Sequence, residues 1–192
     1  NCDLILQKSS ENGGVFYFNG INETIILDSR FAYNQAHRDA GCLYFYGTRT
    51  SVLISCIGCS FQYNIAQQRG GAFNFFQIKK VEIKQNTFKS NYAKFREGGI
   101  CHLLNINTVI LVKIMSINNS AESSHGGSIF VGKLGQIWIK NSHFVMNKAG
   151  QDGGSIFVIG ANVFHNQDVV FRDNAAGNSG GALFLQNVDQ VR

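Results

Sequence analysis

The chain has 192 residues, of which 44% are hydrophobic and 15% are charged, with 21 glycines and no proline. This composition is typical of one ordered domain and excludes a disordered segment. No apolar run reaches the roughly 18 residues that a membrane-spanning helix needs. The net charge is +5, but no nucleic-acid-binding motif accompanies the basic residues, so we do not expect nucleic acid as a partner.

One pattern recurs along the whole sequence: F-x-x-N-x-A, a polar link, a Gly-Gly or Ala-Gly pair, a small residue and an apolar run. The second glycines of the pairs are Gly14, Gly41, Gly71, Gly99, Gly127, Gly154 and Gly181. Their spacings are 27, 30, 28, 28, 27 and 27 residues. A fixed period of this size indicates stacked structural units that bury their apolar faces against one another.

Each repeat contains short runs rich in β-branched and aromatic residues and no helical pattern. In the first complete coil the runs lie at 15–18, 24–27 and 31–36, and in the third at 73–75, 81–84 and 88–93. The sequence therefore predicts an all-β fold, a right-handed parallel β-helix solenoid of about seven coils of ~28 residues with three short strands per coil. The longer second coil predicts additional residues at 46–51 or at 56–60.

Equivalent positions of the coils should form columns along the solenoid. The aromatic position of the motif predicts an internal stack of Phe31, Phe61, Phe88, Met115, Phe144 and Phe171. An asparagine amide both donates and accepts hydrogen bonds, so the asparagines predict a ladder of Asn34, Asn64, Asn91, Asn118, Asn147 and Asn174. The Gly-Gly pairs are expected to supply the positive φ of a turn.

A second column follows from alternation in the strand after each Gly-Gly pair. The outward positions there form a candidate aromatic stripe of Tyr17, Tyr44, His102, Phe130, Phe157 and Phe184, with Asn74 in the third coil. Such a stripe is unusual on a free surface. Either another chain covers it or it binds flat ligands such as sugars; alternatively, the register is shifted by one and the column belongs to the core.

Basic residues crowd the third coil: Lys79, Lys80, Lys84, Lys89 and Lys94, with Arg69 and Arg96 beside them. They form either a patch for acidic polysaccharide or anionic lipid, or a solvated face that keeps the solenoid soluble.

The five cysteines, Cys2, Cys42, Cys56, Cys59 and Cys101, are an odd number. Cys2 and Cys59 share a column but lie two coils apart. We expect free buried cysteines that act as small hydrophobes, although Cys56-x-x-Cys59 could form a local bridge or half of a metal site. The sequence has two glycosylation sequons. Asn22 is a candidate glycosylation site, whereas Asn118 is expected to be unmodified because it lies in the predicted ladder.

The F-x-x-N and G-G-A/S-I/L-F copies resemble the repeats of the polymorphic outer-membrane protein family and of pectin-lyase-like surface proteins. Phe88 with Asn91, Phe144 with Asn147 and Phe171 with Asn174 match the first element, and Gly71, Gly154 and Gly181 begin the second. The resemblance covers nearly the whole chain and implies an extracellular or cell-surface adhesin. It specifies the fold more strongly than the function.

Polysaccharide lyases and hydrolases share this fold, so a polysaccharide-active enzyme with a site across adjacent coils is the alternative. Hydrolysis needs paired carboxylates, and a lyase needs a Ca²⁺-binding acidic cluster. In the alignment Asp28, Asp39 and Asp152 fall in different columns, and His125 is expected to be a solvated turn histidine. We therefore expect no catalytic residues, no metal and no cofactor.

The first hypothesis is a structural or adhesive segment of an extracellular surface or filament protein. Its expected partners are copies or segments of the same protein, joined end to end or laterally, and glycans. Because both ends of the sequence fall inside a coil, we expect residues 1–192 to be a single solenoid within a longer repeat array.

Overall fold

A computed structural model of the chain describes residues 2–47 and 53–192. Within these residues the regular structure consists of strands that pair in parallel with the equivalent strands of neighbouring coils. Successive coils repeat every 27 to 30 residues, as in the pairing of Phe31 with Phe61 and of Phe61 with Phe88. The structure is a parallel β-solenoid of about seven turns with a ~28-residue period, as the sequence predicts.

The first coils each contain four strands rather than the predicted three. Through the third coil the strands are β1 Asp3–Ile5, β2 Lys8–Ser9, β3 Phe16–Asn19, β4 Glu23–Leu27, β5 Arg30–Ala32, β6 Gln35–Ala36, β7 Leu43–Tyr46, β8 Leu53–Ile57, β9 Ser60–Gln62, β10 Ile65–Ala66, β11 Phe73–Phe76, β12 Lys80–Lys84, β13 Thr87–Lys89 and β14 Tyr92–Ala93.

Towards the C-terminus neighbouring strands merge around the corners. These strands are β15 Cys101–Val112, β16 Met115–Ile117, β17 Ser120–Ala121, β18 Ile129–Val145, β19 Lys148–Ala149, β20 Ile156–Arg172, β21 Ala175–Ala176 and β22 Leu183–Val191. The two-residue strands β2, β6, β10, β14, β17, β19 and β21 form a separate sheet. The sequence pattern missed this fourth strand because two residues are too few to show alternation.

The corners of the coils use residues with positive φ at up to four equivalent positions per coil. One of these positions immediately precedes the column of ladder asparagines, in which Gln7 is the first residue. It is occupied by Leu6, Tyr33, Tyr63, Ser90, Asn118, Met146 and Asp173, with φ between 53° and 59°. Side chains with a Cβ are disfavoured in this region. Packing and hydrogen bonding between coils must therefore outweigh a local cost at each corner.

The two positions of each Gly-Gly pair have different roles. The first has positive φ in every coil, and Ala40 adopts φ 59° where the second coil lacks this glycine. The second position is constrained by a neighbouring coil: a Cβ added to Gly71 would collide with the carbonyl oxygen of Gly99. The expectation that the pair supplies positive φ is therefore correct for its first member only.

The additional residues of the second coil lie between β7 and β8. Strand β7 is offset by 27 residues from β3, whereas β8 is offset by 30 from β4. The turn at 56–60 keeps the ordinary spacing to the third coil, since Cys56 pairs with Ile83. Of the two predicted places, 46–51 is thus the correct one, although residues 48–52 lie outside the described part.

The core is filled by the inward side chains of all three longer strands. Phe31, Phe61 and Phe88 stack with ring centroids 4.7 and 5.2 Å apart, and Phe144 stacks on Phe171 at 5.4 Å. The prediction for the fourth coil is wrong by one residue. Ser116, not Met115, pairs with Phe88 and Phe144, and Met115 is exposed.

Candidate functional site

A continuous ladder of asparagine side chains runs along one corner of the solenoid. The Oδ1 of Asn64 accepts hydrogen bonds from both the backbone N and the Nδ2 of Asn34, each at 3.0 Å. Asn91 does the same for Asn64, at 3.1 and 2.9 Å. Each Nδ2 also donates to a carbonyl oxygen of the preceding coil, as Asn64 does to Phe31 at 3.0 Å. Every rung therefore joins neighbouring coils through side chain and backbone.

The ladder continues through Asn119, so the predicted Asn118 is wrong. Asn119 Oδ1 accepts from the N and the Nδ2 of Asn91, at 2.9 and 3.0 Å. Its own Nδ2 donates to Asn147 Oδ1 at 3.0 Å, and Asn147 continues the ladder to Asn174. Asn118 instead is exposed at the positive-φ corner. A constant 28-residue step from Asn91 would have identified Asn119.

In the fourth coil Ser116 occupies the position that phenylalanine holds in the neighbouring coils, next to Asn119. Its buried hydroxyl lies 2.9 Å from the Ser128 hydroxyl and donates to Asn147 Oδ1 at 3.0 Å. It also accepts from Asn119 Nδ2 at 3.2 Å. The fourth coil thus replaces apolar stacking by a satisfied polar cluster, which a buried hydroxyl requires.

The candidate aromatic stripe exists as a column, in the predicted order. Tyr17 and Tyr44 stack at 5.1 Å, and Phe130, Phe157 and Phe184 stack at 5.4 and 5.0 Å. The interplanar angles are 3° to 6°. The ring faces are therefore occupied by neighbouring rings, and the stripe offers ring edges rather than faces to solvent. This geometry disfavours stacking of sugars along the stripe.

The middle of the stripe is buried, although the sequence predicts that it faces outward. His102 stacks on Phe130 at 5.1 Å, and its Nδ1 lies 3.3 Å from Asn74 Oδ1. Burial, together with the positive charges of Arg69 and Arg96, lowers the pKa of His102 to about 3. His102 is therefore neutral at physiological pH and belongs to the packed structure.

A column of charged and polar residues, which the sequence interpretation missed, flanks the stripe. Its members immediately precede the glycine pairs: Asn12, Asp39, Arg69, Glu97, His125, Asp152 and Ser179. Arg69 bridges Asp39 and Glu97 at 3.6 and 3.2 Å, and His125 Nδ1 lies 3.2 Å from Asp152 Oδ2. Asp39 and Asp152 thus share a column, contrary to expectation, and His125 is a partly buried partner of Asp152.

Backbone amides of the next coil bond to the side chains of this column. Asp39 Oδ1 accepts from the N of Arg69 at 3.0 Å, and Asp152 Oδ1 accepts from the N of Ser179 at 2.9 Å. Burial raises the pKa of Asp39, against the opposing effects of the Arg69 amide and guanidinium. The column therefore joins coils in the same way as the asparagine ladder, with charged side chains.

A groove of about 490 Å³ lies between the charged column and the stripe. Its lining includes Glu97, His125 and Asp152 on one side and Phe130 and Phe157 on the other. His125 also packs against Phe157 at 4.5 Å. Among the described residues no group of three or more His, Cys, Asp or Glu side chains is arranged to hold a metal ion.

The C-terminal copy of the repeat provides the link to known proteins. Residues 168–186 match the Chlamydia polymorphic membrane protein (Chlamydia_PMP) repeat. The matched segment contains Phe171, Asn174 and the glycine pair at 180–181. The resemblance to polymorphic membrane proteins is confirmed, which is consistent with a surface location, whereas the pectin-lyase-like likeness stays a prediction. Comparisons with curated proteins and with solved structures give no match.

The description of the matched repeat names a membrane protein. In the part of this chain that the structure describes, no helix combines the length and the apolar character that crossing a membrane requires.

The lysines predicted as a basic patch do not share one face of the third coil. Lys80 and Lys84 lie on β12, where each contacts a carboxylate oxygen of Glu82 at 2.7 Å. These contacts lower the pKa of Glu82. Lys89 lies on β13, and Lys94 follows β14 with its Nζ 4.9 Å from the ring centre of Phe95. Lys79 lies beside β12 at a separate polar groove.

Both sequon asparagines are exposed. Asn22 immediately precedes β4, and Asn118 donates to Ser90 Oγ at 3.3 Å. The reason for expecting Asn118 to be unmodified is therefore wrong, because the ladder does not include it. Glycosylation of Asn22 stays a prediction.

The outer face of the middle strands also exposes large apolar side chains. Ile25 and Leu27 on β4 are 58% and 51% exposed, and Trp138 on β18 is 36% exposed. Trp138 stacks on His165 at 4.3 Å beside a shallow groove of about 300 Å³ that Ile110 also lines. We call this surface the middle-strand face, comprising the outward side chains of β4, β8 and β12 and of the paired parts of β15, β18 and β20. Sequence reasoning did not single it out.

Proposed function

We propose that this chain is a rigid structural or adhesive segment of an extracellular or cell-surface protein, without catalytic activity of its own. The observation that carries the proposal is the unbroken asparagine ladder from Asn34 to Asn174. Because each rung bonds both side chain and backbone of the next coil, the coils are held in fixed register. Seven coils at ~4.8 Å form a stiff spacer on the order of 35 Å long.

The middle-strand face is the surface that the proposed segment offers to partners. Its exposed isoleucine, leucine and tryptophan side chains lie on a flat sheet face, and the Lys80–Glu82–Lys84 cluster interrupts them. A face of mixed apolar and charged character suits lateral contact with other chains, including copies or segments of the same protein. The groove beside Trp138 also suits a glycan, because Lys140 and Gln167 supply polar groups to its hydroxyls; stacking on the Trp138 face is not needed, since His165 covers that face.

The experiment measures adhesion directly. The chain is immobilised on beads and tested for capture of soluble chain and of arrayed glycans, while ultracentrifugation follows self-association. Trp138→Gln on the middle-strand face should weaken capture several-fold, whereas Lys89→Gln on a different strand should not. Binding no stronger than that of an unrelated coated protein would contradict the adhesive role, as would equal effects of the two variants.

The groove beside the charged column favours a second candidate, a polysaccharide-active enzyme. Glu97 and Asp152 lie two coils apart, so their backbones are separated by about 10 Å, close to the carboxylate spacing of inverting glycosidases. However, Glu97 is paired with Arg69, and Asp152 with His125 and the Ser179 amide. Both carboxylates thus already have structural partners. Release of reducing ends from acidic polysaccharides, abolished by Glu97→Gln and by Asp152→Asn, would establish the enzyme and displace the structural proposal.

A further inference from the structure

Two cysteines flank one corner of the second coil. Cys56 is the inward residue of β8 that pairs with Ile26 and Ile83, and Cys59 immediately precedes β9. Between them Gly58 has φ 68° and the chain bends, so the two cysteines lie on either side of the same corner. A disulfide requires Cα atoms within about 7 Å of each other, and only two residues separate these cysteines at the bend.

The next coil clamps this corner at both ends. Asn86 Oδ1 accepts from the backbone N of Cys59 at 2.6 Å, and Asn86 Nδ2 donates to the carbonyl oxygen of Cys56 at 3.1 Å. One side chain thus fixes the two cysteines relative to each other. The equivalent turns of other coils carry Ile26 with Ser29 and Ile83 with Asn86, so this pairing of thiols is particular to the second coil.

The two thiols differ in acidity. Interaction with the Cys56 thiol lowers the pKa of Cys59 to about 7 against the effect of burial. The Ser29 backbone N donates to the Cys59 sulfur, at 3.4 Å. The same interaction between the thiols, together with burial, raises the pKa of Cys56. Cys59 is therefore the nucleophilic member of the pair, because the thiolate is the reactive form.

A route from solvent reaches this corner. A groove of about 410 Å³ is lined by Asp28, Ser29, Gly58 and Ser60, and the last two residues flank Cys59. Cys59 itself is almost fully buried, so an external disulfide reaches its sulfur only when the Gly58 corner moves.

We propose that Cys56 and Cys59 are an oxidisable dithiol that a small-molecule disulfide converts to an intramolecular disulfide. The Cys59 thiolate attacks one sulfur of the external disulfide, forms a mixed disulfide and releases one thiolate. Cys56 then loses its proton and attacks the Cys59 sulfur, which forms the Cys56–Cys59 bond and releases the second thiolate. The two electrons and two protons of the dithiol leave with the external disulfide as two thiols.

The other cysteines do not have this arrangement. Cys42 and Cys101 are fully buried, and burial raises the pKa of each thiol well above its usual value. Cys2 is exposed and shares the column of Cys59, but two coils, or about 10 Å, separate them. That distance exceeds what a disulfide spans without backbone movement.

The test equilibrates the 192-residue chain with defined ratios of oxidised to reduced glutathione. Remaining thiols are then alkylated under denaturing conditions, and intact mass and peptide mapping are recorded. We expect a disulfide mapped to Cys56 and Cys59, whereas the exposed Cys2 takes up glutathione as a separate adduct. The absence of a Cys56–Cys59 disulfide at every ratio would overturn the proposal, and so would a bridge to Cys2, Cys42 or Cys101.

Two variants provide controls. In Cys56→Ser the resolving thiol is absent, so Cys59 should hold a persistent glutathione adduct, and a disulfide from Cys59 to another cysteine in this variant would contradict the assignment. Cys42→Ala keeps the pair and should form the bridge at the same glutathione ratio as the parent chain. A shifted ratio in Cys42→Ala would mean that Cys42 takes part in the exchange.

Discussion

Replacement of Asn119 by alanine is the sharpest test of the ladder, because Asn118 beside it is a matched control. Asn119→Ala removes the acceptor of the Asn91 backbone N and Nδ2 and the donor to Phe88, Ser116 and Asn147. Asn118→Ala removes a single exposed hydrogen bond to Ser90. The two variants have the same composition and differ in position by one residue.

The magnitudes follow from which groups lose their partners. After Asn119→Ala the backbone N–H of Asn91 is buried without the acceptor that it has in the ladder, which costs about 1 to 3 kcal/mol. The other lost hydrogen bonds contribute roughly 0.5 to 1.5 kcal/mol each. With four such bonds the sum is about 3 to 9 kcal/mol. Asn118→Ala places alanine at φ 53°, which costs about 1 kcal/mol.

The assay is urea unfolding of the parent chain and both variants, followed by circular dichroism and fitted by linear extrapolation. We expect the Asn119→Ala midpoint to fall several times further than the Asn118→Ala midpoint. Equal losses would mean that the coil does not have the described register, and a larger loss for Asn118→Ala would restore the ladder that the sequence first indicated.

Three further predictions concern other columns. Met146→Asn should raise the free energy of unfolding by roughly 0.5 to 1 kcal/mol, because Met146 has φ 53° and is 50% exposed. Met115→Asn is the control and should give no such gain, since Met115 is exposed on a strand. The same urea series compares the two variants. Gly71→Ala should destabilise by about 2 to 3 kcal/mol or more, because its Cβ would collide with the Gly99 carbonyl; thermal unfolding measures this. Since the pKa of His102 is lowered to about 3, the unfolded state takes up a proton below pH ~6.5 while the folded state does not. The free energy of unfolding should therefore fall by up to about 1.4 kcal/mol per pH unit from pH ~6.5 towards 3. His102→Phe should remove this part of the pH dependence. An unchanged pH dependence in the variant would refute the conclusion that His102 is buried in its neutral form.

The sequence predicts the solenoid because its period is repeated in six Gly-Gly pairs and one Ala-Gly pair. Periodicity locates a column wherever residue types repeat, as they do for phenylalanine and asparagine. The prediction for the fourth coil was wrong for a physical reason. Ser116 replaces the phenyl ring with a buried hydroxyl cluster, so residue type favoured the neighbouring Met115, and the asparagine assignment shifted with it. Spacing alone would have been the better guide there.

The charged column was missed because its members differ in type. Asp39, Arg69, Glu97, His125 and Asp152 share only their position before a glycine pair. Their common role is to join coils, either through ion pairs between opposite charges or by accepting hydrogen bonds from the backbone of the next coil. Residues of different types fulfil this role equally well. A comparison by position rather than by residue type would have found them.

The stripe illustrates a different limit. Alternation correctly placed Tyr17, His102 and Phe184 in one column, but alternation does not tell which neighbouring corner covers a side chain. The stripe is exposed at Tyr17 and buried at His102 and Phe157. Only the three-dimensional arrangement distinguishes these positions.

The most direct test of the account is hydrogen exchange of the asparagine side-chain amides, resolved by nuclear magnetic resonance. The Nδ2 protons of Asn64, Asn91 and Asn119 are buried and doubly bonded, so they should exchange far more slowly than those of Asn118. Slow exchange that skips Asn118 and includes Asn119 would support a solenoid joined by this ladder. Rapid exchange at all of these residues would contradict it.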